Sequence, residues 1–372
     1  MNGQRTPFTN LQLGEDAAPV RAAIDRVLAR GWFVLGPEVA AFETEFSALC
    51  GAPHAVGVGC GTDALALILR ASGVGPGDEV ITSPLSAAFT ALAVIMAGAQ
   101  PVFADIDPDR LTLDPAAAEA AITPRTAALM PVHLYGQAAD MAAFVPIAQR
   151  HSLALVEDCC QAHLATCAGR PVGTFGTAGA FSFYPTKNLG ALGDAGAVVT
   201  LDAALADRVR RLRNGGQTTR YAHIETGVNS RLDELQAAIL SARLPLLRGW
   251  TARRRALAAV YRARLADAPV SVPPELDPGH VYHQFPIRST ERVALQAHLA
   301  AQGIDTLIHY PVPIPRQPAF ASGPPAVCPI ASRVCDEVLS LPIYPSLQDE
   351  AAAAVAAAVC SFPSHRRAGV GR

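Results

Sequence analysis

A mostly parallel sheet flanked by helices, followed by a smaller α+β unit, is the architecture that this 372-residue sequence predicts. Three observations carry that expectation. Short apolar runs alternate with helical stretches through the first two thirds of the chain, as in sheets buried on both faces. A long helical pattern from Arg231 to about residue 266 is interrupted at Pro245, where a proline ends or kinks a helix. Beyond it, strands and helices mix less regularly. The length suits about two domains at roughly 150 residues each. The expected division is a large domain over 1–245, N-terminal segment included, and a small one over 246–372.

The elements follow in order. Residues 38–50 place Val39, Phe42, Phe46 and Leu49 on one helical face. Residues 55–59 form a short apolar strand and 62–71 a helix. The turn GPGD feeds the strand EVITS, 88–97 is helical, and 101–106 is again a strand. Further strands are expected at 127–133, 153–158, 179–184 and 196–201. In the C-terminal part, strands are expected at 281–288 and 305–310, with a helix at 291–302 between them and a last helix near the end. SHRRAGVGR reads as a disordered tail.

Composition excludes several classes of function. The net charge is −2, with no basic stripe or acidic block, which argues against nucleic acid and anionic membranes. No apolar run reaches the ~18 residues of a membrane span, and MNGQRTPFTN is not a secretory signal, so a cytoplasmic location is expected. Eight cysteines include no C-x-x-C pair and no zinc-finger spacing; they read as reduced thiols, and no metal is expected.

Lysine usage is more telling. Lys187 is the sole lysine among 30 basic residues. A chain that uses arginine wherever a charge suffices keeps one amine, and an amine can lose its proton and condense with a carbonyl. Lys187 follows a strand, in a glycine-rich setting containing Gly190, Gly193 and Gly196. Ser182, five residues earlier, could reach the same ligand. Gly59-Cys60-Gly61-Thr62 lies between a strand and a helix, where free N–H groups suit a phosphate, although a tight strand-to-helix turn favours glycine as well. Asp158 closes an apolar strand at the sheet edge where ligands bind; alternation turns Glu157 the other way.

These residues lie in a longer series of motifs: GWFVLGPEVAAFE, GCGTDALAL, VEDCCQAH, AFSFYPTKNLGALGDAGAVVT, GVNSRLDELQAA and IHYPVPI. The series, from about residue 31 to 347, resembles the DegT/StrS-type sugar aminotransferases. That resemblance implies fold type I, with a large domain binding pyridoxal 5′-phosphate. It makes Lys187 the Schiff-base lysine and pairs Asp158 with the pyridine nitrogen and Gln161 with the phenolic oxygen. It gives the phosphate to the Gly61-Thr62-Asp63 turn and Ser182. Asn229 would reach the phosphate of a neighbouring subunit, which implies a homodimer with shared active sites. Tyr184, His309 and Tyr310 would line the sugar pocket, and Arg231 would meet the carboxylate of the amino donor, L-glutamate. The acceptor implied is a nucleotide-linked keto-sugar, with a dTDP-linked 3-keto-6-deoxy sugar favoured over 4-amination.

The sequence departs from the family pattern at three places. Ala87 stands where an aromatic residue usually stacks on the cofactor ring, Leu164 replaces a usual glycine, and Pro315-Arg316 follows IHYPVPI where histidine is common. Three rival readings stand beside this one. A sugar dehydratase on the same fold would carry histidine in place of Lys187. A cyclitol aminotransferase differs only in pocket loops. A non-catalytic regulatory protein gains support from Ala87 alone.

Overall fold

The computed structural model describes residues 5–320 and 326–363. The expected tail SHRRAGVGR lies outside them. Two helices open the chain, α1 (Ala17–Arg30) and α2 (Pro37–Cys50). Strands and helices then alternate: β1 (His54–Val58), α3 (Gly61–Ala71), β2 (Glu79–Thr82), α4 (Phe89–Met96), β3 (Gln100–Phe103), α5 (Pro115–Ala120), β4 (Thr126–Met130), α6 (Met141–Arg150) and β5 (Ala154–Asp158). The hairpin β6 (Thr166–Cys167) and β7 (Arg170–Pro171) precedes β8 (Ala178–Ser182), β9 (Gly196–Thr200) and α7 (Ala203–Leu212). A second hairpin, β10 (Gln217–Thr219) and β11 (Ala222–His223), leads to α8 (Glu234–Arg243) and α9 (Leu247–Arg264). The chain continues through β12 (Phe285–Arg288), α10 (Arg292–Ala301), α11 (Pro329–Glu337), β13 (Val338–Leu341) and α12 (Asp349–Cys360).

Seven strands form one sheet in the order β1-β9-β8-β5-β4-β2-β3. Only β9 runs against its neighbours, so the α/β class with a mostly parallel sheet is observed. Alternation sorts the strand side chains into two cores. Leu155, Phe181 and Val199 enter the core that holds Phe42, Phe46 and Phe144. Their neighbours Val156, Ala180 and Val198 face Leu65, Ile68 and Val209 on the other side. The first core is aromatic: Phe46 meets Phe181 and Phe183 edge-on at 5.1 Å, contacts worth ~0.5–1.5 kcal/mol each beyond area burial. A third core gathers α9, α10 and α12 around β12 and β13.

Two carboxylates tie the fold together. Glu234, at the start of α8, accepts the free N–H groups of Gly36, Glu38 and Val39 at 2.8–2.9 Å, capping α2 from a distance. Glu157 is fully buried and accepts from the Gly173, Phe175 and Gly176 N–H groups and from His133 Nε2. His133 Nδ1 accepts the Ala139 N–H, which assigns the ring proton to Nε2. His133, Glu157 and Cys159 come close enough together to suggest a metal centre. Protein partners already engage the carboxylate and both ring nitrogens, so the cluster reads as a structural anchor.

The break expected at Pro245 is observed: the helical stretch divides into α8 and α9 around a 3₁₀ turn at Leu244–Leu246. Other expected elements are corrected. The strand expected over 281–288 begins only at Phe285, because the carbonyls of 281–283 accept from Asn188 and Arg254 instead. The stretch 305–310 is no strand and pairs with β13 through a single bridge at Leu307. Leu164, where glycine is usual, adopts φ 67, the left-handed conformation that favours glycine.

Candidate active site

β1, β5 and β8 point the same way, so their C-terminal ends share one edge of the sheet. That edge collects Gly59–Thr62, Asp158 and Ser182. Asp158 and Ser182 also follow the alternation of Val156 and Ala180, on the face covered by α3.

α3 starts at this edge with Cys60 as its cap, Sγ accepting the Asp63 N–H at 3.4 Å. Gly61 sits against the site: a Cβ there would lie 2.7 Å from both Cys160 Sγ and Ser182 Cβ. The backbone approach that a phosphate needs is thus available only to glycine. Gly61→Ala is expected to cost ~1–3 kcal/mol through overpacking. It should also weaken cofactor binding, as read by titrating the protein with pyridoxal phosphate; unchanged affinity would remove the cradle from the account.

The Asp63 carboxylate has a protein partner at this edge. It accepts from Ser230 Oγ at 2.6 Å, and Ser230 in turn accepts the Gly59 N–H. Ser182 Oγ accepts the Tyr184 N–H at 3.4 Å, leaving its own O–H to donate. Asp158 is buried and accepts twice, from the Cys160 N–H at 3.1 Å and Thr90 Oγ1 at 2.8 Å. Gln161 is held at both ends: Oε1 accepts the Tyr135 N–H at 2.8 Å, and Nε2 donates to Tyr310 Oη at 3.0 Å.

Lys187 lies on the turn after β8, its N–H bonded to the Tyr184 carbonyl at 2.8 Å. Burial lowers its pKa from 10.5, against the opposing pull of Cys160 and Asp158. A lowered pKa frees the neutral amine at lower pH. The rate of its condensation with an aldehyde should therefore rise with a midpoint below 10.5, read by absorption after rapid mixing. A midpoint at 10.5 or above would contradict the burial. Burial and Lys187 also hold His309 down to about 4, a neutral ring with Nδ1 paired to Ser340 Oγ at 3.0 Å. Tyr310 is pushed up to about 12 by burial and stays a neutral donor.

A cavity of about 550 Å³ opens on Lys187 and is lined also by Asn10, Leu192, Trp250, Arg254 and Tyr344. Tyr184 is half-exposed. Asn229 and Arg231 flank Ser230, which bonds Asp63 and the Gly59 N–H. Asn229 is exposed beside Asn214, and Arg231 donates to Asn214 Oδ1 at 3.2 Å. The sequence reading missed Thr90, which reaches Asp158 across 68 residues, and Ser86, which bonds Thr90; their four-residue spacing was the only local signal.

A model of the DegT/DnrJ/EryC1/StrS aminotransferase family matches residues 15–360. The chain belongs to that family. Members similar to it include a dTDP-3-amino-3,4,6-trideoxy-alpha-D-glucose transaminase of Streptomyces venezuelae, 51% identical over 92% of each chain. Among solved structures, S. venezuelae DesV in complex with a ketimine intermediate superposes with a TM-score of 0.92, at 50% identity, over 95% of this chain and 97% of that one. NtdA from Bacillus subtilis with bound cofactor PMP gives 0.87 at 31% identity, over 96% and 85%. This chain is accordingly an aminotransferase.

The residues present fit pyridoxal phosphate. The amine is drawn towards neutrality by burial, the carboxylate keeps acceptor capacity at the strand edge, and a glycine-only cradle opens on a helix N-terminus. Among the described residues, no helix is long and apolar enough to cross a membrane.

Proposed function

We propose that this aminotransferase moves the amino group of L-glutamate to a nucleotide-linked keto-sugar, a dTDP-linked 3-keto-6-deoxy sugar being the best-supported acceptor. The observation that carries the reading is the sheet edge that brings Asp158, Ser182 and the glycine-only cradle at Gly61 together, with Lys187 on the turn that follows β8. The sugar relatives named above support the acceptor class.

Pyridoxal phosphate, when bound, supplies an electron sink and a carrier for the amino group. Thr62, Ser182 and the N–H groups around Gly61 would hold its phosphate, Asp158 its ring nitrogen, and Gln161 its phenolic oxygen. Lys187 would be the attachment point and, once released, the base that takes the donor Cα proton and returns it. Tyr184, His309 and Tyr310 would orient the sugar and keep water from the reacting carbon, and Arg231 would receive the donor carboxylate.

Asn229 is exposed here and would complete the phosphate site of a second copy, making a homodimer the catalytic unit. The exposed Trp32, Phe33 and Phe89 are suited to cover by that copy. The division into domains at 245 and the cytoplasmic location stand with this reading.

The test is a spectrum. Protein with pyridoxal phosphate should absorb in the visible, and L-glutamate should shift the band towards the ultraviolet. A keto-sugar nucleotide should then restore it. A band that no amino donor moves would favour the regulatory reading instead.

A further inference from the structure

Asp158 is aimed by hydroxyl groups that the reaction itself does not require. Thr90 Oγ1 lies 2.8 Å from Asp158 Oδ2 and 3.0 Å from Ser86 Oγ. All three side chains are buried, Thr90 at 1% exposure and Ser86 and Asp158 at 4%. A threonine hydroxyl has one hydrogen. Thr90 gives it to the carboxylate, so Ser86 must donate to Thr90, and the chain of bonds has one direction: Ser86 to Thr90 to Asp158. The Cys160 N–H holds the other oxygen, Oδ1, at 3.1 Å. Each carboxylate oxygen therefore has one donor and spare acceptor capacity.

We propose that Thr90, supported by Ser86, is a positioning residue that sets Asp158 for the ring N–H of the cofactor. The proposal rests on the reading that this site holds pyridoxal phosphate. Thr90 acts through Asp158 and touches no reacting atom. Charge-assisted bonds of this kind are about twice as strong as neutral ones, and inside a protein they polarise their neighbours. Losing the Thr90 bond leaves the buried carboxylate held by the Cys160 N–H alone, and its last torsion is broad and roughly two-fold.

The test compares two ligands: pyridoxal phosphate and its 1-deaza analogue, in which a C–H replaces the ring nitrogen. Both carry the aldehyde, so both report attachment to Lys187 by absorption, without turnover. Thr90→Val should weaken binding of pyridoxal phosphate about tenfold and leave the 1-deaza analogue within twofold of the unaltered protein. Thr90→Ser, which keeps the hydroxyl, should restore binding of pyridoxal phosphate. Equal weakening towards both ligands would mean a merely structural role and would overturn the proposal, as would no weakening at all. Should Thr90→Val fail to fold, as judged by circular dichroism, Ser86→Ala is read against both ligands by the same criterion. If the unaltered protein forms no absorbing adduct with pyridoxal phosphate, the cofactor reading itself falls, and this proposal with it.

Discussion

Lys187→Arg is expected to abolish transamination, with turnover falling roughly 10⁴-fold. The guanidinium keeps the charge, but it neither forms the bond to the aldehyde nor loses its proton at working pH. No other lysine exists in the chain to take over. The visible band should vanish along with activity, while the melting temperature should hold or rise, because a partly buried amine with a lowered pKa is no stabilising feature. Turnover of the arginine variant within a hundredfold of the original would dismiss Lys187 as the attachment point.

The second large effect falls on stability. Glu157 is fully buried with four donors aimed at it, three of them backbone N–H groups from the turn before β8. Glu157→Gln turns an acceptor-only group into one that also presents N–H donors to those same donors. Breaking a buried hydrogen-bonded charge costs ~3–5 kcal/mol. Urea unfolding should show the midpoint moving down accordingly. An unchanged midpoint would mean that the four bonds count for little. Asp158, the adjacent residue, would show the reverse profile, with cofactor binding impaired more than stability. The pleat of β5 sends these neighbouring carboxylates to opposite faces, one to the fold and one to the site.

How far the sequence disclosed this structure depended on what held each element. Strands buried on both faces, such as β5 and β8, read directly from their apolar runs, to within about two residues. β13 was missed. It lies between α11 and a proline, and its partner β12 is 50 residues earlier. Residues 281–284 looked like strand, yet they curl at Tyr282, which has φ 48, because Asn188 and Arg254 capture their carbonyls from far along the chain. In the site, Lys187, Asp158 and Ser182 were legible because each ends or follows a strand at the same edge. Thr90 was not, since nothing local reveals which carboxylate a buried hydroxyl will meet. Asp63 came from the motif alone, and the bond its carboxylate accepts from Ser230, in the GVNSR segment, was not legible either.

The solitary lysine also makes the chain its own reporter of opening. A lysine-directed protease has one cleavage point here, between Lys187 and Asn188. Asn188 is buried, donating to the Val281 carbonyl at 3.2 Å and facing His283 Nδ1 at 3.3 Å. Scission therefore requires this turn to peel away from 281–283. When opening and closing are fast relative to cutting, the cleavage rate follows the population of the opened form. Two fragments meeting at residue 187 would then serve as a clock for that local excursion, and any ligand that holds the turn shut would slow it in proportion to its occupancy.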